Sequence, residues 1–320
     1  MTSLDKRRVE TSGGVMAFVD AGEGEPVLLL HGFPLSSHLW RSFVPLLAQG
    51  TRVLAPDLLG CGDSGGRADA ALDLRSQAGY ARELLAELGI ESAAVIAHGS
   101  GGAIAQALAL DGLDVRAMVL IDSLAFDLWP TDDMRALLAI PDEERTPGLL
   151  RDIVARTLDL WMRRGRLPDE DLREYQRPFT HDDGVRAYFR ATAQADSGFL
   201  EHADAGLGAL DVPVLLLWGE EDAVFPPAVA ERLQDAMPTA SLALLPGCSH
   251  LLPEEAAGTI GPLLWEWLRA RYLKLGHDHA APGGPVVVSL GRRPPIEQEF
   301  LEEEFDDSLD DSFDDEEGSA

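Results

Sequence analysis

Apolar positions along this chain fall into short β-branched and leucine-rich runs, separated by segments whose apolar spacing is close to 3.6. That alternation predicts strands interleaved with helices. Strands are expected at Val15–Val19, Val27–Leu30, Thr51–Ala55, Ala93–Ala97, Val115–Ile121, Val214–Trp218 and Ser241–Leu245. Helices are expected at Leu74–Leu88 (stopped by Gly89), Gly101–Leu110, Pro227–Ala236 and about Glu254–Leu273. Buried strands alternating with helices imply an α/β fold with a mostly parallel sheet covered on both faces. One stretch breaks the rhythm: Leu124–Leu207 has helical patterns and no convincing strand. The organisation predicted is therefore a core from residues 1–123 and 208–275, a helical cap over 124–207, and a tail from 276 to 320.

Composition narrows the class. With 320 residues the chain can bury a sizeable core. A formal net charge of -29 repels nucleic acid and anionic membrane surfaces, so neither is expected as a partner. No apolar run approaches the roughly 20 residues of a membrane span. The first ten residues are polar and unlike a signal peptide. Two cysteines, Cys61 and Cys248, are too few for a disulfide framework. These features predict a cytoplasmic protein. No dinucleotide fingerprint or phosphate loop occurs, and no cofactor or metal is expected. His277-Asp278-His279 reads as linker.

Ligands of such sheets bind beyond the carboxyl ends of the strands, and three turns there are distinctive. Ala97-His98-Gly99-Ser100-Gly101 has small residues at its first and fifth places, the shape of a strand-turn-helix elbow whose middle residue is forced into a strained conformation. Asp222 follows the strand ending at Trp218, and His250 follows the last strand. Elbow, acid, histidine is a triad order.

With His31-Gly32-Phe33-Pro34 and Pro56-Asp57-Leu58-Leu59-Gly60-Cys61-Gly62-Asp63-Ser64, these motifs resemble the α/β-hydrolase superfamily. They are most similar to its capped branch of epoxide hydrolases, haloalkane dehalogenases and related esterases. The resemblance implies Asp222 as acid, His250 as base, and backbone N–H groups of Phe33 and Ser100 as the oxyanion hole. It places the family's nucleophile at position 99, where this chain has glycine. Glycine reaches the elbow conformation at little steric cost, so the turn survives while the attacking atom is lost.

Three readings follow. The first is an enzyme without a covalent step, in which His250 steered by Asp222 is a general base on a small, largely apolar molecule: a lyase, cyclase, isomerase or direct-water hydrolase. The second is a non-catalytic pseudoenzyme that binds a small ligand and a partner protein. The third is an ester or epoxide hydrolase using Ser100 as nucleophile, although the side chain after the elbow residue is expected to point into the helix start. The first is preferred, because acid, base and oxyanion loop all persist in place.

The remaining candidates are weaker signals. Phe33, Trp129, Tyr175 and Tyr188 are expected around the substrate, the tyrosines because cap tyrosines polarise the epoxide oxygen in epoxide hydrolases. Trp161, Phe179 and Phe189 add apolar surface to the cap. Asp122, after another strand, is a backup acid. His31 and His98 read as packing beneath the site, and both cysteines as inert. From Glu297 to Glu317 there are 13 acidic residues and no basic one, with Leu301, Phe305, Leu309 and Phe313 at every fourth place. Segment 296–320 is thus an acidic tail that is disordered alone and could engage a partner protein.

Overall fold

Leu28, Leu29 and Leu30 are all fully buried although neighbours in a strand point to opposite faces. Both faces of their sheet must therefore be covered. The computed structural model describes residues 5–273. Its strands are β1 (Lys6–Thr11), β2 (Gly14–Ala21), β3 (Pro26–Leu30), β4 (Arg52–Pro56), β5 (Gly65–Gly66), β6 (Ser92–His98), β7 (Asp114–Ile121), β8 (Val214–Gly219) and β9 (Ala240–Leu245). The sheet order is β1-β2-β4-β3-β6-β7-β8-β9, with β5 paired to β2. The pairs β1–β2, β2–β4 and β2–β5 are antiparallel. Every pair from β4 to β9 is parallel. All seven expected strands are present.

Two strands were not foreseen. β1 is a largely solvated edge strand of sequence KRRVET, whose polar residues carry no apolar alternation; its identity comes from pairing with β2. β5 is a two-glycine bridge.

The helices outside the cap are α1 (Val44–Leu47), α2 (Leu74–Glu87), α3 (Ser100–Leu110), α9 (Pro227–Ala236), α10 (Leu252–Glu255) and α11 (Ala257–Arg271). The single helix expected over about 254–273 is thus two. Ala256, between them, leaves helical space at φ -135°.

Between β7 and β8 the described residues hold α4 (Asp132–Leu138), α5 (Pro147–Leu160), α6 (Asp169–Gln176), α7 (Asp182–Ala193) and α8 (Asp204–Gly208), and no strand. Helices α4 to α7 contact one another, whereas α8 packs on α3 and α9. A cap boundary at 207 therefore cuts into α8, which packs with the core helices: Leu207 is fully buried in the same apolar cluster as Ile104 and Leu233. No helix among the described residues is long and apolar enough to cross a membrane. The His277-Asp278-His279 stretch and the acidic tail lie outside the described residues.

Candidate active site

The parallel strands deliver their following residues to one rim: Phe33 after β3, Gly99 after β6, Asp122 after β7, Asp222 after β8 and His250 after β9. The elbow forms as its sequence requires. Gly99 has φ 57° and ψ -130° and leads directly into α3. A Cβ at Gly101 would lie 2.5 Å from the Leu30 carbonyl oxygen, so only glycine lets helix and strand approach. Gly99 is different: a Cβ there would meet its nearest neighbours, Gly32 Cα and His250 Nε2, at an ordinary 3.6 Å. Space would admit a side chain at position 99; only the backbone angle favours glycine.

Asp222 and His250 meet as the motif order implies. His250 Nδ1 donates to Asp222 Oδ2 at 3.0 Å, and both side chains are buried. Asp222 Oδ1 accepts the Val224 and Phe225 N–H groups at 2.8 and 3.0 Å. The carboxylate is thereby fixed, and its bond to Nδ1 leaves Nε2 as the basic nitrogen facing Gly99. Trp161 and Phe225 set their rings edge-on to the imidazole, with centroids 4.7 and 5.2 Å away. Trp161, expected only as apolar cap surface, is thus a wall against the His250 imidazole; nothing in local sequence links α5 to β9.

Asp122 does not replace Asp222. Its carboxylate accepts N–H groups of Gly219 and Leu252, at 2.8 and 3.3 Å, and ties β8 to the loop after His250. Burial, with the nearby Asp222 charge, raises its pKa well above the usual carboxylate range. His31 and His98 are buried struts, as expected. His31 Nε2 accepts the Leu58 N–H, which leaves Nδ1–H for the Gly32 carbonyl. His98 Nε2 donates to the carbonyl of His250 at 2.8 Å. Burial lowers their pKa values to about 4 and about 3. Both cysteines are buried and free, and burial raises Cys248 to about 11.

The oxyanion side differs from expectation. The Phe33 N–H is not open to a substrate; it donates to Ser100 Oγ at 2.9 Å. The Ser100 hydroxyl therefore turns toward the β3 loop rather than into the helix start, and its one hydrogen bond among the described residues is to Phe33, not His250. That geometry gives Ser100 no base and removes support for a Ser100 nucleophile. Its own N–H, the first of α3, has no intrahelical acceptor.

Two spaces flank this rim. A cavity of about 430 Å³ is lined by Phe33, Trp129, Met134, Trp161, Tyr188 and Val224, among others. A smaller one, about 20 Å³, lies against Ser100, Leu58, Leu72, Cys61 and Ala191, and shares Phe33 and Trp129 with the first. Tyr188 thus lines the cavity, its ring tilted 41° to that of Phe33 with centroids 4.8 Å apart. Burial raises its pKa, so it stays a donor.

Tyr175 does not line either space, contrary to expectation. Its hydroxyl is hydrogen-bonded to Glu254, which is paired with Arg41. Arg41 also reaches Asp171 at 2.8 Å, and Asp171 bonds His38 at 2.7 Å. Phe179 and Phe189 are likewise buried in packing rather than lining either space. Glu255, not singled out by the sequence, accepts the N–H groups of Arg164 and Ser249 at 2.7 and 2.6 Å. Glu254 and Glu255 together bind the cap to the loop that carries His250. Among the described residues no group of three or more His, Cys, Asp or Glu side chains is placed to hold a metal ion.

The family model described as alpha/beta hydrolase fold matches residues 25–257. The chain is 28% identical over 271 residues to a soluble epoxide hydrolase of Corynebacterium sp. (strain C12), covering 79% of this chain and 93% of that protein. It is 30% identical over 294 residues to a haloalkane dehalogenase of Bradyrhizobium diazoefficiens, covering 83% and 94%. A crystal structure of an alpha/beta hydrolase fold protein from Burkholderia ambifaria superposes with a TM-score of 0.74 at 30% identity, covering 83% of this chain and 98% of that one. Parallel strands, elbow, buried Asp–His pair and these likenesses agree: the chain belongs to the α/β-hydrolase fold family.

Proposed function

We propose that this protein acts on a small, largely apolar molecule by noncovalent general-base chemistry, with His250 as base and Asp222 as its orienting partner. The observation that carries this is the basic Nε2 of His250 facing a glycine 3.6 Å from where that residue's Cβ would be. Every group needed to move a proton is present there, and no side chain at position 99 can attack. In the proposed step Nε2 takes a proton from a substrate C–H or O–H, or from a water that then attacks the substrate. Asp222 stabilises the imidazolium, and the proton returns to the product. No bond forms between protein and substrate. Elimination, isomerisation, cyclisation and direct hydrolysis all fit this balance.

The cavity lining supports one substrate class. Its walls are mainly aromatic and aliphatic, with Tyr188 as a buried donor and with Asp132, Asp133 and Arg163 also bordering the space. An apolar body carrying one oxygen acceptor suits them. Epoxides and carbonyl compounds meet that description, and an epoxide hydrolase is among the relatives.

The test is turnover of esters, epoxides, and β-keto or hydroxy-carbonyl compounds by the unaltered protein beside Gly99→Ser, Gly99→Asp and His250→Ala. Turnover that disappears in His250→Ala supports the reading and names the class. Turnover untouched by His250→Ala overturns it. Activity seen only with a Gly99 replacement means instead that the pocket binds a ligand without converting it.

A further inference from the structure

The Phe33 N–H and the Ser100 hydroxyl carry an inference that reaches beyond the loss of the nucleophile. An oxyanion hole works because two N–H donors, free in the resting protein, converge on the place where negative charge develops. Here one of the pair is engaged. Phe33 N–H has a single proton, and it is directed at Ser100 Oγ at 2.9 Å. Ser100 is 2% exposed and borders the smaller space together with Phe33. A peptide N–H serves one good acceptor at a time. A substrate oxygen reaches this donor only after Ser100 rotates away and gives up a part-buried hydrogen bond.

We infer that Ser100 acts as an internal occupant of the oxyanion hole, so that formation of an acyl-enzyme at this site is disabled twice, once by Gly99 and once by Ser100. Ser100 is a positioning residue in this account: it acts by holding the Phe33 N–H. Restoring a nucleophile at position 99 is then insufficient for efficient ester cleavage, and Ser100 must also lose its hydroxyl.

The experiment compares Gly99→Ser with Gly99→Ser/Ser100→Ala, using p-nitrophenyl butyrate. In either variant the introduced hydroxyl would attack the ester carbonyl while His250 Nε2 takes its proton. The carbonyl oxygen gains the charge, and the collapsing intermediate expels p-nitrophenol with the proton from His250. Freeing one oxyanion donor is expected to raise the acylation rate about 100-fold in the double variant. The p-nitrophenol burst reads that rate, and His250→Ala in the double background should abolish it. A double variant no faster than the single one overturns the inference.

A second readout decides the matter even if neither variant cleaves the ester. The Phe33 amide proton, followed by NMR in the unaltered protein and in Ser100→Ala, should move upfield and exchange faster with solvent once its acceptor is gone. An unchanged Phe33 amide overturns the inference. Neither measurement depends on the natural substrate, so failure here is distinct from failure of the general-base reading.

Discussion

His250 Nε2 lies 3.6 Å from the point that a Cβ on Gly99 would occupy. The imidazole therefore faces the elbow at its middle residue. Gly99→Ser is expected to fold, because the added atom makes ordinary contacts, but to lose about 1–3 kcal/mol, since φ 57° with ψ -130° is unfavourable for any residue with a Cβ. Urea unfolding of the two proteins measures this; equal stability would show that the turn relaxes in the variant.

Asp222→Asn should reduce any turnover that depends on His250 by about 10⁴-fold, because an amide in that place no longer enforces the Nδ1–H tautomer or stabilises the imidazolium. A steady-state kcat for the variant checks it. A loss below tenfold would mean that the Asp222–His250 bond is structural only.

The two cap tyrosines should part company. Tyr175→Phe removes the hydroxyl bound to Glu254 and leaves a buried carboxylate short of one donor, so about 2 kcal/mol of stability should disappear with substrate affinity unchanged. Tyr188→Phe should leave stability nearly unaltered and weaken binding of oxygen-bearing ligands, since Tyr188 lines the cavity. Thermal melts and ligand titrations of the pair separate the roles.

Stability should fall in acid through His31 and His98. Their folded pKa values, about 4 and about 3, lie below the ordinary 6.5. Between those values and 6.5 the unfolded chain binds more protons than the folded one, so stability is full above pH 6.5 and is lost as the pH falls. At pH 5 each histidine should remove about 2 kcal/mol relative to pH 7. Denaturant unfolding at the two pH values, with His98→Asn as comparison, tests it; the variant should lose roughly half of that pH dependence.

The elements that could be read from the chain are those whose cause is local. The strand runs at Val27–Leu30 and Ala93–Ala97 are buried on both sides and so are continuously apolar. The elbow is legible because a sharp turn needs small residues at fixed offsets, and Asp222 and His250 because each directly follows such a strand. β1 escaped detection because KRRVET is an edge strand that carries no apolar alternation. The break at Ala256 was hidden because alanine, a strong helix former, gives no stop signal at that position.

The alternation of strands and helices, the places of Asp222 and His250 beyond their strands, and the glycine at position 99 were all decided by residue type and spacing, whereas the order of strands in the sheet was not. Which donors remain free was decided only in three dimensions. Phe33 and Ser100 are separated by 67 positions, and Tyr175 meets Glu254 across 79. Periodicity reports which face of an element is buried. It does not report which partner waits there, and in this protein the partners determine that Tyr188 rather than Tyr175 faces the cavity, and that the Phe33 N–H is already taken.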